Sequence, residues 1–138
     1  MAAVETKPII SQLKLPKEGE PYLEGWRCES CSTVYVDARQ NCGHCLARGS
    51  MTAIPLSNTG KIYNWTIVYR NFPSVEVPFA SVIVDLDGGG TIKGNLVGID
   101  PKPENIRFDM PVKTVFRPVA QTDEKNNLYI GYFFAPAE

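Results

Sequence analysis

No run of apolar residues in this sequence approaches the length of a membrane span, so its 138 residues, 43% of them hydrophobic, are expected to fold as one soluble domain or two small ones. Enzymatic constellations are missing as well. There is no Gly-x-Ser-x-Gly elbow, P-loop or dinucleotide fingerprint, and His44 is the sole histidine. Asp85 and Asp87 share a strand face, but solvated acids at a sheet edge are the plainer reading of that pair. An excess of basic charge is absent too: 14 Lys and Arg stand against 15 Asp and Glu, a net of −1. General nucleic-acid affinity comes mostly from neutralising phosphates, so this balance argues against it while leaving room for a local basic patch. Met1 to Ile10 carries neither the basic stretch nor the apolar core of a secretory leader, and a reducing, cytoplasmic compartment is therefore expected. No internal repeat or low-complexity segment is visible.

Cysteine is sparse but organised. All four residues fall in Cys28-x-x-Cys31, ten residues, then Cys42-x-x-Cys45. Two knuckles at this separation close a tetrahedron of thiolates around one metal ion. Zinc is the expected ion because it accepts four thiolates without strain. Iron in a rubredoxin-like site uses the same ligands, usually with wider spacing, and a pair of disulfides is the third option. The expected ligands of a structural Zn2+ are thus Cys28, Cys31, Cys42 and Cys45. A closed shell leaves no position for substrate, and no thiol stays free as a nucleophile, so no catalytic residue is expected in the chain. His44 reads as a solvent-facing residue of the second knuckle.

The pattern predicts a mainly β protein in three parts: an extended N-terminal arm over 1–20, a rubredoxin-like four-Cys zinc ribbon over 21–49, and a five- to six-stranded OB-type barrel over 50–138. In the arm, Pro8 and Pro16 bracket too few residues for a stable helix. Thr33 to Val36 supplies a short strand between knuckles, with Trp26, Tyr35 and Val36 shielding the metal. Arg27, Arg39 and Arg48 flank a negative centre. Met51 to Ser57 reads as the first barrel strand and Lys61 to Arg70 as the second, with Tyr63, Trp65, Ile67 and Tyr69 on one buried face. Asn71 to Pro78 is a loop unusually rich in apolar residues. Ala80 to Asp87 and Thr91 to Ile99 form a hairpin through Gly88-Gly89-Gly90, which reads as a plain turn ahead of a phosphate cradle. Gly94 and Gly98 mark a bulge or bend, and Pro101 to Arg107 holds one helical turn. Pro111 to Val119 and Leu128 to Ala135 complete the barrel around the polar loop Gln121 to Asn127. The last strand is apolar on both faces and needs a cover beyond the barrel: ribbon, arm or another subunit.

This order of parts resembles a known family. Gly25-Trp26-Arg27-Cys28-x-x-Cys31, the Asp87-Gly88-Gly89 hairpin and the run Met110-Pro111-Val112-x-x-Val115-Phe116 are similar to the acyl-CoA-associated OB-fold family with a rubredoxin-like zinc ribbon. The resemblance implies a non-catalytic zinc subunit of a heteromeric thiolase or acyltransferase complex. Such a subunit stabilises a thiolase-type catalytic partner and helps enclose an acyl-CoA or β-ketoacyl-CoA substrate. A coenzyme A thioester would be a ligand of the complex, with the catalytic groups on the partner. By position, Phe72, Pro73, Val75, Val77, Pro78 and Phe79 would line the channel near that partner's active site. The family often has a longer helix before the ribbon and a glycine at the place of Asp109, where this chain has a proline-rich N-terminus and an aspartate.

Two other function classes follow from the residues alone. A single-stranded nucleic-acid module would stack bases on Tyr63, Trp65 and Tyr69. Period two places those rings inside the barrel, which would make them unavailable. A stand-alone hydrolase has no nucleophile or base pair to name.

Overall fold

The computed structural model describes residues 5–122 and 124–137. Met1 to Val4 of the arm, Asp123 of the polar loop and Glu138 at the end of the barrel lie outside the described residues. Ten strands are formed: β1 (Thr6–Pro8), β2 (Leu13–Lys14), β3 (Tyr22–Cys28), β4 (Val34–Tyr35), β5 (Met51–Pro55), β6 (Thr59–Val68), β7 (Phe79–Leu86), β8 (Thr91–Leu96), β9 (Pro111–Thr122) and β10 (Leu128–Pro136). Among the described residues one 3-10 turn, Pro103–Asn105, stands between β8 and β9. No helix among the described residues is long and apolar enough to cross a membrane.

Strands β6 to β10 close a five-stranded OB-type barrel in the order β10-β8-β7-β6-β9, with β9 pairing back onto β10. Within the barrel every ladder is antiparallel except the contact of β10 with β8 at Phe134 and Leu96. Alternation on β7 buries Ala80, Val82, Val84 and Leu86 against Ile62, Leu96, Val112 and Phe134. Gly94 brings β8 close over this core, since a Cβ there would meet the Phe134 ring at 2.7 Å. The predicted hairpin, helical turn and last two strands are all present.

The reading of β6 requires correction. Tyr63 and Tyr69 do not face the core: they are 62% and 64% exposed, while Trp65 and Ile67 are half-buried and Ile62 is fully buried. For Tyr63 the cause is a register shift between Ile62 and Asn64, where β6 opposes Val84 and Ile83 of β7, whereas Tyr69 lies beyond Val68, the last residue of β6. One extra residue in a ladder reverses the inward and outward positions beyond it, so Tyr63 falls in the bulge and the period-two pattern breaks there.

The ribbon is built on β3. Strand β2 lies alongside Leu23 and Tyr22, β4 alongside Trp26 and Arg27, and β5 along Glu24 to Cys28. Met51 to Pro55, expected as a barrel strand, therefore completes the ribbon sheet, because the second knuckle returns the chain beside Cys28 before it reaches the barrel. The N-terminal segment is also engaged. β1 adds in parallel to Leu128–Ile130 of β10, and Leu13 is fully buried. It thus supplies the neighbour that the apolar last strand needed.

Glycines let ribbon and barrel approach. The Asp87–Gly90 turn lies on β4, where a Cβ at Gly89 would stand 2.9 Å from Val34 and one at Gly90 would stand 3.3 Å from Val36. Gly25 on the opposite side leaves space for Leu56 and the Tyr35 carbonyl, at 2.4 and 2.7 Å from its would-be Cβ. The triple glycine serves a close approach between the two halves, and Gly88, Gly89 and Gly90 all hold positive φ.

Candidate metal centre and exposed apolar surface

The two knuckles repeat one local geometry. The Ser32 amide donates to the Cys28 carbonyl at 2.8 Å and the Leu46 amide to the Cys42 carbonyl at 3.1 Å, with Ser32 and Leu46 both left-handed at φ 66 and 64. Each turn closes on its own strand pair: the Cys28 amide donates to Thr33 and the Cys42 amide to Ala47. The result brings all four Sγ atoms within 4.8 Å of one another. Cys28 and Cys45 stand 3.7 Å apart and Cys31 and Cys42 3.6 Å. Both distances exceed a disulfide bond of about 2.05 Å, and all four cysteines are free. They match the edge of about 3.8 Å that a regular tetrahedron has when metal–sulfur bonds are about 2.3 Å. The donor set fits a structural four-thiolate metal.

Hydroxyls and amides around the sulfurs favour thiolates. Ser50 Oγ lies 3.2 Å from Cys28 Sγ, Thr33 Oγ1 3.2 Å from Cys31 Sγ and Tyr35 Oη 3.6 Å from Cys42 Sγ. The amides of Cys45 and His44 also point at Cys42 Sγ, at 3.5 and 3.3 Å. The Cys45 amide leads in holding Cys42 down to about 5, with the Tyr35 hydroxyl and the His44 amide adding to it. The Ser50 hydroxyl likewise lowers Cys28. At Cys45 the Ala47 amide lowers the pKa, but desolvation and the Cys31, Cys28 and Cys42 sulfurs outweigh it and push the thiol up to about 11. The Tyr35 phenol is raised in turn, chiefly by its hydrogen bond to Cys42.

Of the flanking cations, Arg39 stacks 3.7 Å above the Tyr35 ring and pairs with Asp37 at 2.9 Å, which fixes the ring whose hydroxyl serves Cys42. Arg27 pairs with Glu29 on the surface. Sequence reading missed Ser50, Thr33 and Tyr35 as hydrogen-bonding partners of the sulfurs. Their only signal was position: each hydroxyl lies within a few residues of a knuckle or of the strand that returns to it. His44 is exposed, as expected. Asp85 and Asp87 accept hydrogen bonds from Thr91 and Thr59 on an exposed surface.

The β6–β7 connection leaves its apolar residues uncovered. Phe72 is 78% exposed, Pro73, Val77 and Pro78 are also exposed, and Val75 and Phe79 are half-buried. Tyr69 continues this surface from the end of β6. Within the loop the Val75 amide donates to the Phe72 carbonyl at 2.9 Å.

A family model for the C-terminal OB-fold domain of ChsH2 matches residues 53–117. A DUF35 domain-containing scaffold protein of Methanocaldococcus jannaschii is 34% identical over 119 residues, 84% of this chain and 82% of that protein. The chain belongs to the DUF35 family. A further DUF35 scaffold protein, from Pyrococcus furiosus, is 32% identical over 83% of this chain and 82% of its own length. The benzoylsuccinyl-CoA thiolase subunit BbsA of Geobacter metallireducens is 28% identical over 88% of this chain and 80% of that subunit. Among solved structures, a chain of the Ltp2-ChsH2(DUF35) aldolase superposes with a TM-score of 0.66 and 26% identity, covering 85% of this chain and 86% of its own. The DUF35 family is thus linked to thiolase and aldolase complexes.

Proposed function

We propose that this chain is a non-catalytic, zinc-containing scaffold subunit of a thiolase-type complex, which stabilises its catalytic partner and helps enclose an acyl-CoA or β-ketoacyl-CoA substrate. One observation carries the reading: a small barrel with a large uncovered apolar loop, Phe72 to Phe79, belongs to a family whose members include a thiolase subunit and an aldolase component. Exposed apolar surface rimmed by polar residues is what a partner interface presents before it is covered. In this reading Phe72, Pro73, Val75, Val77, Pro78 and Phe79 face the partner near its acyl-CoA channel. Cys28, Cys31, Cys42 and Cys45 hold one structural Zn2+, whose bound form supplies rigidity and no chemistry of its own. The likeness to BbsA makes a benzoylsuccinyl-CoA thiolase one instance of such a complex. The higher identity to archaeal scaffold proteins leads us to commit to the acyl-CoA class and not to one acyl group.

The test is affinity capture of the tagged chain from its native extract, with mass spectrometry of what is retained and a thiolysis assay on the eluate. Recovery of a thiolase-fold chain with CoA-dependent cleavage supports the reading, and recovery of this chain alone sinks it. Exposure of Tyr63 and Tyr69 favours a second reading, base stacking on single-stranded nucleic acid. Salt-sensitive retention on single-stranded DNA would support that one; a near-neutral charge of −1 opposes it.

A further inference from the structure

The four sulfurs of the metal centre are not equivalent. Cys28 and Cys42 are buried, Cys31 is half-buried, and Cys45 is the exposed member of the set. Each of the first three also has a hydroxyl beside it: Ser50 at Cys28, Thr33 at Cys31 and Tyr35 at Cys42. Cys45 has no hydroxyl; besides the neighbouring sulfurs, the Ala47 amide is what meets it. The side-chain cover also stops at Cys42. Gly43 carries no Cβ, and one placed there would stand 3.2 Å from the Arg39 guanidinium and 3.4 Å from Tyr35 Oη, so these two side chains lie close against the backbone next to Cys42. A donor on a thiolate holds its electron pair and lowers its nucleophilicity, and burial keeps reagents away. Cys45 is the sulfur least restrained by either. The sulfur contacts add a second asymmetry: those at 3.7 Å between Cys28 and Cys45 and at 3.6 Å between Cys31 and Cys42 both run between knuckles, and the first joins the exposed sulfur to a buried one. A disulfide holds its sulfurs at about 2.05 Å, so the Cys28–Cys45 pair closes by a movement of about 1.7 Å.

We infer that Cys45 is an oxidative modification site of this chain, that it reacts with hydroperoxides, and that Cys28 is the sulfur that resolves it. The Cys45 thiolate attacks a peroxide oxygen: an S–O bond forms, the O–O bond breaks, and hydroxide or alkoxide leaves. Sulfur is oxidised by two electrons and the peroxide is reduced. The Cys28 thiolate then attacks the sulfenic sulfur, an S–S bond forms, the S–O bond breaks, and hydroxide departs; buffer protons neutralise both leaving groups. Each peroxide thus consumes two of the four ligands. The ion is left on Cys31 and Cys42 and is released, because a structural site needs its full set of thiolates. The inference rests on the reading of the four cysteines as one zinc site and is independent of which partner the chain holds.

The experiment uses the full chain loaded with zinc, its metal content measured first. One portion is labelled briefly with iodoacetamide and mapped by peptide mass spectrometry, which ranks the four cysteines by reactivity. A second portion receives one equivalent of hydrogen peroxide; zinc release is followed with a chromogenic chelator against an untreated portion, and disulfides are mapped afterwards. Cys45 is expected to be labelled ahead of the other three. Peroxide is expected to release one zinc ion for each molecule consumed, to lower the mass of the chain by two hydrogens, and to bridge the peptides of Cys28 and Cys45. Labelling led by another cysteine, zinc release without that bridge, or zinc retained in the presence of peroxide overturns the site and leaves the zinc reading standing. A chain that takes up no zinc overturns both.

Discussion

Cys42 illustrates how much of the metal centre lies in single hydrogen bonds. The amides and the Tyr35 hydroxyl hold its pKa at about 5 against an ordinary value of 9.0, so its thiolate contributes stability that is full above pH 9.0 and is lost as pH falls through 5. Cys45 is shifted the other way, to about 11, and is the thiol that metal binding must force to give up its proton. Acid is therefore expected to release the metal, and alkali to retain it. Titrating the metal-loaded chain from about pH 8 to about pH 4 with a chromogenic chelator checks this, and release independent of pH would contradict it. Removing one orienting hydroxyl gives a second prediction: Tyr35→Phe should weaken zinc binding by about 10- to 100-fold while the fold persists, read by competition with a chelator of known affinity. The four ligand candidates were legible because Cys-x-x-Cys spacing is local chemistry. The hydroxyl partners were not, since Ser50 reaches Cys28 only through the pairing of β5 with β3, which no local pattern announces.

Among elements, the turn Asp87–Gly90 and strand β4 depend on each other. Gly89 holds φ 118, and a methyl group there would stand 2.9 Å from the Val34 side chain. Gly89→Ala is expected to destabilise the chain by about 1–3 kcal/mol in urea unfolding, through backbone strain and overpacking together. Adding Val34→Ala removes the γ-methyl contact at 2.9 Å but keeps the β-carbon contact at 2.9 Å, so it should recover only part of the packing cost and leave the strain; a double-mutant cycle with no coupling would show that the two elements do not press on each other. Hairpins, the 3-10 turn and the barrel strands were readable because turn residues and alternation mark them. The burial of β6 was not readable. Its four large residues alternate cleanly from Tyr63 to Tyr69, yet the bulge at Tyr63 belongs to the register with β7, and register is a property of the pair. Asp109 offers a smaller case. It stands at φ 61, a left-handed conformation that aspartate tolerates better than most residues because its short polar side chain can hydrogen-bond locally.

At the scale of the whole molecule, the arm, ribbon and barrel form one continuous set of contacts, with Leu13, Leu23 and Leu56 buried alongside the barrel core. The large apolar side chains left exposed include Phe72 and Val77 of the β6–β7 loop, Tyr63 and Tyr69, Leu46 of the second knuckle and Phe108 before β9. Phe72→Ser is expected to leave stability within about 0.5 kcal/mol, because the ring touches little in the free chain, and to reduce capture of the partner. Overall architecture was legible because four cysteines and a run of short strands admit few folds. Which apolar residues face outward was not, because an exposed phenylalanine and a core phenylalanine look alike until the loop is placed. In the proposed function a metal-loaded chain works by holding a larger catalytic subunit. Native mass spectrometry of the tagged chain purified from its own cells tests both halves at once. One zinc ion per chain is expected, in an assembly containing a thiolase-fold subunit that dissociates when zinc is stripped. A metal-free chain found alone, or bound to nucleic acid, would contradict it.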